Sequence, residues 1–352
     1  MHPLPKKRPD TISASEILRR QPQLLDVRAP VEFAKGSLPG AENQPILTDE
    51  ERRQVGITYK EQGNAAATSL GHELVDGAVR ERRINEWLEF AGKHSETCVM
   101  CWRGGQRSAI AQQWLADAGA ELPRVAGGYK AVRSICMQTL DMATAQSKRW
   151  IVIAGRTGTQ KTVIINQLSN SIDLEGHARH RGSAFGGMGV PQPPLPSFEN
   201  ALAFDWLRHH QDTLVVEDES RTIGRLAVPE AWHDLMQQAP LALVSASLST
   251  RVEHIYHEYV EDALANGATP AELEERYRGA LSRIKRRLGG ALYSQLDALI
   301  EAAFQHGADH RGWIEGLLKD YYDPMYDYQL SNKRERIAFE GDRHQVIEYL
   351  TG

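Results

Sequence analysis

Short apolar runs alternate with amphipathic segments over the first 140 residues of the chain. The apolar runs predict strands at 23–27, at 97–101 and at the start of 123–133. Segments with apolar positions three or four residues apart predict helices at 13–20, at 82–92 and after residue 108. Strands that alternate with helices in this way favour an α/β domain with a mostly parallel sheet.

A second alternation begins at residue 150, after the polar segment 141–149, which we interpret as a linker. Buried strands are predicted at 150–155, 213–220 and 241–247, and glycines and prolines at 186–196 indicate a loop. From about residue 250 the chain is charged and helical in pattern. The predicted organisation is therefore a parallel-sheet domain over 1–140 and a second α/β domain, with a helical C-terminal part, over 150–352.

The amino-acid composition bears on where in the cell the protein is expected. The 352 residues are 41% hydrophobic and 25% charged, and no apolar run approaches the length of about 20 residues that spans a bilayer. No apolar core follows the first ten residues, so we expect neither a secretory signal nor a membrane anchor, and a cytoplasmic location. Three cysteines do not make a disulfide framework.

The formal net charge of −5 does not favour a nucleic-acid partner over the whole surface. Such a partner would need a local basic patch, and the candidates are 177–181, 283–287 and 332–336. Taken one at a time, each is more simply interpreted as a solvated helix or loop face.

The stretch "CWRGGQRS" places Cys101 between a predicted strand and a predicted helix. Backbone N–H groups of such a loop curl into an anion-binding nest, and Gly104 and Gly105 let the backbone bend. The helix N-terminus, Arg103 and Arg107 add positive charge, so the loop favours a nucleophilic thiolate at Cys101. Because the spacing is also Cys-x5-Arg, the loop alone does not separate phosphoryl chemistry from sulfur or selenium transfer.

The other cysteines have a simpler interpretation. Cys98 forms a CxxC pair with Cys101, a pattern typical of redox or zinc sites. Cys98, however, lies within the apolar strand, and the chain contains no second CxxC. We therefore expect Cys98 and Cys136 to be core residues.

The segment 24–45, "LLDVRAPVEFAKGSLPGAENQP", resembles the N-terminal signature of rhodanese domains, which carry sulfur as a cysteine persulfide. The matching residues are Asp26, Arg28, Glu32, Phe33, Gly36, Pro39, Gly40, Ala41 and Asn43. Ser37 stands where these domains commonly have histidine. The segment 125–133, "VAGGYKAVR", resembles their late Gly-Gly motif, and Cys101 falls at the position of their catalytic cysteine.

The segment 155–162, "GRTGTQKT", nearly matches the phosphate-binding loop (P-loop) pattern that follows a strand in P-loop NTPases. Gly155 and Gly158 shape the predicted loop, Lys161 would reach phosphate oxygens, and Thr162 would offer its hydroxyl to Mg²⁺. Gln160 replaces the second signature glycine; if this position needs a positive φ, the replacement costs on the order of 1 kcal/mol. We therefore expect a diphosphate cradle, and Gln160 leaves efficient NTP hydrolysis an open question at this point.

Acidic residues follow the strand predicted at 213–220. Asp218 or Glu219 is a candidate metal or phosphate contact, as in the second acidic motif of P-loop proteins. An ordinary polar strand end is the alternative for either residue.

The whole chain resembles the tRNA 2-selenouridine synthase family, in which a rhodanese-like domain precedes a P-loop domain. The resembling stretches are 47–63, 101–108, 174–186, 217–224 and 321–330, and Gln160 is the main departure. The resemblance implies that sulfur in a wobble 2-thiouridine of tRNA is replaced by selenium from selenophosphate, with a selenophosphate-supplying enzyme as a partner. It also implies that geranyl diphosphate provides a geranyl group that makes this sulfur a better leaving group.

The same resemblance assigns expected roles to residues. Cys101 would act as a nucleophile or as a selenium carrier. The resemblance also implies, less strongly, that four residues contact tRNA or phosphate. They are Arg179, Arg181, Ser220 and Arg221.

Three other functions remain open from the residues alone. One is a rhodanese-type sulfurtransferase fused to a nucleotide-binding module, and another is a Cys-x5-Arg phosphatase fused to such a module. The third is a binding protein whose P-loop holds RNA or a nucleotide without turnover, which Gln160 favours. Loss of selenium incorporation on replacing Cys101 would support the transferase, whereas release of phosphate from an aryl phosphate would support the phosphatase.

Overall fold

A computed structural model describes residues 11–145 and 148–352. The chain divides into two compact units. The first extends to Met142 and includes Pro193–Arg208, and the second comprises Ala143–Gln192 and His209–Gly352.

The first unit contains a five-stranded sheet whose strands all run parallel, in the order β1-β5-β4-β2-β3. Its strands are β1 (Thr11–Ile12), β2 (Gln23–Asp26), β3 (Ala41–Asn43), β4 (Thr97–Met100) and β5 (Arg124–Val125). Its first helices are α1 (Ala14–Arg20), α2 (Pro30–Phe33), α3 (Asp49–Leu74), α4 (Gly77–Gly92), α5 (Gln106–Asp117) and α6 (Gly128–Asp141). Parallel strands share one carboxyl edge, and this edge carries the loop that begins at Cys101.

Local sequence explains where the longest helix of this unit begins and where it breaks. The Thr48 side chain accepts from the Glu51 N–H while the Glu51 carboxylate accepts from the Thr48 N–H, which forms a capping box for α3. Gly63 interrupts the helix with φ 83° and ψ −177°, a conformation that glycine tolerates. The helix therefore consists of two segments separated by a kink.

The second unit contains a four-stranded parallel sheet in the order β11-β10-β6-β7 and an antiparallel pair, β8-β9. Its strands are β6 (Arg149–Ala154), β7 (Thr213–Glu217), β8 (Thr222–Ile223), β9 (Leu226–Ala227), β10 (Leu241–Val244) and β11 (Ile337–Gly341). The helices after α6 are α7 (Lys161–Gln167), α8 (Leu174–Ala178), α9 (Leu195–Arg208), α10 (Glu230–Gln238), α11 (Leu248–Tyr256), α12 (Asp262–Ala265), α13 (Pro270–Leu288), α14 (Gly290–His306), α15 (Arg311–Leu317), α16 (Asp323–Ser331) and α17 (Arg343–Thr351). A separate apolar core joins α11, α13, α14 and α15.

Helix α9 follows the second unit's P-loop in sequence but packs within the first unit. Asn200 is fully buried there; its Nδ2 donates to the Ser37 carbonyl at 2.8 Å and its Oδ1 accepts from Arg133 at 3.1 Å. The Ser37 N–H donates to Ser197 Oγ at 2.9 Å. Helix α9 thus contacts Ser37, the residue that stands where rhodanese domains commonly have histidine.

The predicted α/β class with two parallel sheets and a helical C-terminal part is confirmed. The charged region after residue 250 is not helical throughout, since β11 adds an edge strand to the second sheet. Residues 146–147, within the predicted linker, lie outside the described residues, and α6 and β6 account for part of the rest. Among the described helices, none is long and apolar enough to cross a membrane.

Candidate active site

Cys101 lies directly after β4, at the start of the loop that leads into α5. Its side chain is a free thiol that is only 3% exposed. The thiol donates to Ser108 Oγ at 3.2 Å, and this hydroxyl donates to the Gly105 carbonyl at 3.1 Å. Ser108 therefore connects the sulfur to the first turn of α5.

Two glycines allow the cysteine loop to pack backbone to backbone against the start of α6. Gly104 has φ +62°, and a Cβ at this position would lie 2.5 Å from the Val125 carbonyl oxygen. A Cβ at Gly128 would lie 2.2 Å from the Cys101 carbonyl oxygen. The same carbonyl accepts from the Tyr129 N–H at 2.9 Å. This close approach is the physical reason why the Gly-Gly motif and the cysteine loop occur together.

A buried ion pair connects the remaining rhodanese-like segments. Asp26 and Arg28 are both fully buried and lie 2.7 Å apart. The Arg28 guanidinium lies 4.1 Å from the centre of the Tyr129 ring and donates to the Gly36 carbonyl at 2.9 Å. The Tyr129 ring stacks on Trp102 at 5.3 Å. These contacts hold the residue next to Cys101 in place.

Arg107 is paired rather than free. Its Nη2 donates to Glu32 Oε1 at 3.0 Å, and Glu32 also lies 3.1 Å from Arg52. Burial opposes ionisation of Glu32, but the hydrogen bonds and charges of Arg107 and Arg52 prevail and lower the pKa of Glu32. By contrast, Arg103 is exposed and makes no ion pair with any residue that the structure describes. Arg103 is therefore one source of uncompensated positive charge at this loop, and Arg124, which donates to the Gly104 carbonyl, is another.

A cleft of about 700 Å³ opens between the cysteine loop and α3, with Cys101 among its lining residues. Apolar side chains from α3 and α5 form much of its wall, including Val55, Ile57 and Ile110. The cleft therefore gives a substrate a route to the thiol within the first unit.

The predicted P-loop connects β6 to α7. A Cβ at Gly155 would lie 2.7 Å from Thr159 Oγ1, and Gly158 has φ +86°. Lys161 Nζ donates to the Gly155 carbonyl at 2.8 Å, across the loop. The loop, its two glycines and its lysine therefore have the arrangement of a phosphate cradle at a helix N-terminus.

Gln160 adopts the left-handed backbone conformation, which is strained for a residue other than glycine, with φ 62° and ψ 37°. Its side-chain Oε1 accepts from Arg343 Nη1 at 2.7 Å. A contact from α17 therefore offsets part of the strain at this position.

Side chains of the C-terminal helices support the P-loop, which the sequence did not indicate. Arg251, only 1% exposed, donates to the Thr157 carbonyl at 3.2 Å and pairs with Asp323 at 2.7 Å. Arg156 of the loop pairs with Asp327 at 2.6 Å. Both aspartates lie in the stretch 321–330, so this stretch helps to hold the loop in place.

Carboxyl groups surround the first turn of α7. Thr162 Oγ1 donates to Glu175 Oε2 at 3.1 Å, and Glu175 shares a hydrogen bond with Glu219. Burial, followed by the charge of Glu175, raises the pKa of Glu219, and burial likewise raises that of Glu175, although Lys161 opposes this second shift. Glu175 was not expected here. Asp218 instead pairs with Lys333 at 2.7 Å.

The four weaker candidates are dispersed within the second unit. Arg179 ends α8 with φ 51° and is exposed. Arg181 pairs with Glu258 at 2.6 Å and lies 4.9 Å from the centre of the Tyr259 ring. Ser220 Oγ donates to the Thr222 carbonyl at 2.8 Å, and Arg221 is exposed. The geometry gives Arg179 and Arg221 free access to solvent.

Comparisons with known proteins assign the two units to a family. The rhodanese-like domain model matches residues 13–134, and the tRNA 2-selenouridine synthase AAA domain model matches residues 148–352. A tRNA 2-selenouridine synthase of Cupriavidus necator is 45% identical over 97% of this chain and 98% of its own length. Those of Azotobacter vinelandii and Pseudomonas fluorescens are 45% and 43% identical, each over 97% of this chain and over 97% and 98% of their own lengths.

The chain belongs to the tRNA 2-selenouridine synthase family. The family resemblance drawn from the sequence is thereby confirmed. In this family member the cysteine cleft and the P-loop each form within one unit. Residues that the sequence did not single out as functional include Ser108, whose contacts are local, and Glu175 and Arg343, which contact residues of more distant segments.

Proposed function

We propose that the protein is a tRNA-modifying transferase that replaces the sulfur of wobble 2-thiouridine by selenium from selenophosphate, through S-geranyl-2-thiouridine made with geranyl diphosphate. The match to the tRNA 2-selenouridine synthase family over 97% of the chain carries this proposal. A thiol lining a large cleft in one unit and a phosphate cradle in the other support it. tRNA and a selenophosphate-supplying enzyme are the proposed partners.

In the proposed first reaction the P-loop binds the diphosphate of geranyl diphosphate. The sulfur of 2-thiouridine forms a bond to the geranyl carbon, the carbon–oxygen bond breaks, and diphosphate leaves with the electron pair. The base releases its N3 proton to water. Backbone N–H groups and Lys161 would stabilise the charge on the departing diphosphate. No oxidant or reductant is needed.

Magnesium would fit this site only together with substrate. No group of three or more His, Cys, Asp or Glu side chains within 11–145 and 148–352 is arranged to hold a metal. Thr162, Glu175 and Glu219 nevertheless offer clustered oxygens, and Mg²⁺ commonly binds to one or two carboxylates plus phosphate oxygens. When bound, Mg²⁺ would neutralise charge on the diphosphate.

In the proposed second reaction Cys101 attacks C2 of the S-geranylated base and geranylthiol leaves. The selenium of selenophosphate then attacks C2, the bond to Cys101 breaks, and water cleaves the selenium–phosphorus bond to give phosphate. This sequence balances without a redox partner. A perselenide on Cys101 would instead require a two-electron oxidant, because a thiol and selenophosphate are both fully reduced. The nucleophile role is therefore preferred over the carrier role.

The phosphatase alternative is less well supported. A Cys-x5-Arg phosphatase uses its arginine to hold the phosphate over the thiol. In this chain the guanidinium of Arg107 is bound by Glu32, and the cleft beside Cys101 has an apolar wall.

Nucleoside mass spectrometry of tRNA tests the proposal in cells that carry the wild type, Cys101→Ser or Lys161→Ala. We expect Cys101→Ser to abolish 2-selenouridine and to accumulate S-geranyl-2-thiouridine. Lys161→Ala should leave unmodified 2-thiouridine. Unchanged 2-selenouridine in both variants would contradict the assigned roles. Gln160→Gly serves as a matched P-loop variant, for which we expect little loss of the geranylated nucleoside.

A further inference from the structure

The three local basic patches that the sequence offers to a nucleic acid differ in how much free charge the structure leaves them. In the patch 332–336, Lys333 pairs with Asp218, and Arg336 donates to two backbone carbonyls. Arg334 remains, but it lies next to a glutamate in the sequence. Most of the charge of this patch is therefore used in contacts within the fold.

The patch 177–181 has also lost part of its free charge. Arg181 pairs with Glu258 at 2.6 Å. Burial, followed by the positive charges of Arg283 and Arg181, lowers the pKa of His180, so this imidazole is neutral near pH 7. The influence of Arg283 shows that this segment lies close to the third patch.

The third patch, at the end of α13, keeps its charge. Its four cations make no ion pair with any residue that the structure describes. They are Arg283, Lys285, Arg286 and Arg287. With about 3.6 residues per turn, the three arginines share one face of the helix, which we call the arginine face. Lys285 lies on the opposite side, where its Nζ is 4.5 Å from the centre of the Tyr293 ring.

The arginine face is open to solvent. All three of its side chains are exposed. The Arg283 side chain runs back over Gly279, where a Cβ would lie 3.9 Å from Arg283 Nη1. Arg283 Nη2 donates to the Ala184 carbonyl at 3.0 Å, a partner that does not neutralise its charge. A large partner can therefore reach all three guanidinium groups.

The carboxylates of α13 lie nearer its N-terminus. Glu272 is in the first turn and accepts from the Thr269 N–H at 2.8 Å. Glu274 accepts from Arg278 at 3.1 Å. Glu275, the remaining carboxylate of the helix, precedes the arginine face by about two turns. The end of α13 therefore carries positive charge that no carboxylate of the same helix neutralises.

We propose that the arginine face binds the phosphate backbone of tRNA, outside the nucleotide that reacts. The proposal rests on the proposed function, and it adds a surface of the second unit that holds the RNA. Guanidinium groups donate two parallel hydrogen bonds to a phosphate, and such contacts hold a nucleic acid without reading its sequence. An acidic protein segment would also match the charge of this face, but tRNA is the polyanion on which the proposed reaction takes place.

The slope of log affinity against log salt tests the proposal, because each phosphate contact contributes to it by release of counterions. Fluorescence anisotropy at several salt concentrations measures binding of the full-length protein to a tRNA transcript with uridine at the wobble position. Arg287→Gln removes an exposed cation that has no ion pair within the described part of the chain. It should reduce the slope by about 1, and the double variant Arg286→Gln/Arg287→Gln should reduce it by about 2.

Lys285→Gln is the matched control. It removes the same charge from the opposite side of the same helix and should leave the slope unchanged. A slope that the double variant does not change would overturn the proposal and favour an acidic protein as the partner. Equal falls in Lys285→Gln and Arg287→Gln would also overturn it, because the effect would then come from net charge alone.

Failure of the proposed function would look different. In that case wild-type cells would lack 2-selenouridine, whereas the slope would still fall in the double variant. Normal 2-selenouridine together with an unchanged slope would reject the arginine face alone.

Discussion

Cys101 differs from Cys98 and Cys136 in its surroundings, although all three side chains are largely buried. Burial raises the pKa of Cys98 to about 11 and that of Cys136 to about 12. Cys101 lines the cleft and has a hydroxyl partner in Ser108. The reactivity of Cys101 thus depends on access of a reagent through the cleft and on the groups beside its sulfur. The number of cysteines in the sequence reveals neither.

Selective alkylation should separate the three thiols. With iodoacetamide near neutral pH, we expect Cys101 to react at least about tenfold faster than Cys98 or Cys136, because the latter two stay protonated and enclosed. Peptide mass spectrometry of the native protein measures the three rates. Equal rates would show that the cleft does not admit the reagent, whereas equal rates after unfolding are expected and serve as the control.

Glu217, at the end of β7, should make the stability of the protein depend on pH. It is fully buried, and burial, followed by the charges of Asp173 and Glu175, raises its pKa well above the usual value. The unfolded chain releases this proton at lower pH than the folded one, so the contribution of Glu217 to stability is lost as pH rises above its unfolded pKa.

Glu217→Gln should therefore raise the free energy of unfolding at neutral pH by at least about 1 kcal/mol and flatten its decline with pH. Urea unfolding at several pH values measures this change. The exposed Glu275→Gln, also in the second unit, is the matched control. A loss of stability in Glu217→Gln at neutral pH would contradict the prediction.

At the scale of elements, strands with continuous buried sequences were predictable, and half-buried edge strands were not. β2, β4, β6, β7 and β10 are short runs with mostly buried side chains, which a continuous apolar sequence indicates. β3 and β11 lie at sheet edges and are half-buried, so no apolar run indicates β3, and β11 falls in a region whose pattern is helical. The P-loop and the cysteine loop were predictable because short local patterns determine them.

The contacts that complete each site could not be predicted, because they join segments far apart in sequence. Arg343 reaches Gln160 from α17, and Asp323 reaches Arg251 from α16. No local periodicity indicates either pair. The placement of helix α9 was likewise not predictable. Its apolar face predicts that the helix is buried but not in which unit.

The attachment of α9 depends on buried polar contacts that can be tested. Asn200→Leu would leave the Ser37 carbonyl and the Arg133 guanidinium without this partner, at a cost of about 1–3 kcal/mol. We expect faster hydrogen exchange of the backbone amides in β2 and β4, measured by mass spectrometry. Glu61→Gln, on an exposed part of α3, should leave exchange unchanged; unaltered exchange in Asn200→Leu would mean that α9 adds no stability to the sheet.

At the scale of the whole molecule, a net charge of −5 means that binding of tRNA must rely on local cations. We expect tRNA affinity to fall steeply with salt. Arg103→Gln and Lys60→Gln should each reduce the slope of log affinity against log salt by about 1. Lys93→Gln, which removes a lysine paired with Glu89 at 2.7 Å, is the control. An unchanged slope in both cleft variants would place the RNA elsewhere.

The position of α9 has a further consequence during synthesis on the ribosome. The sheet of the first unit is complete once residue 125 has been made, but its last helix ends only at Arg208. At about 5–20 residues per second, the 66 residues between Met142 and Arg208 take roughly 3–13 seconds to translate. During this interval the groups that later contact Asn200, including the Ser37 carbonyl, lack this hydrogen-bond partner. The first unit is therefore complete only after the P-loop, which precedes α9 in sequence, has been translated.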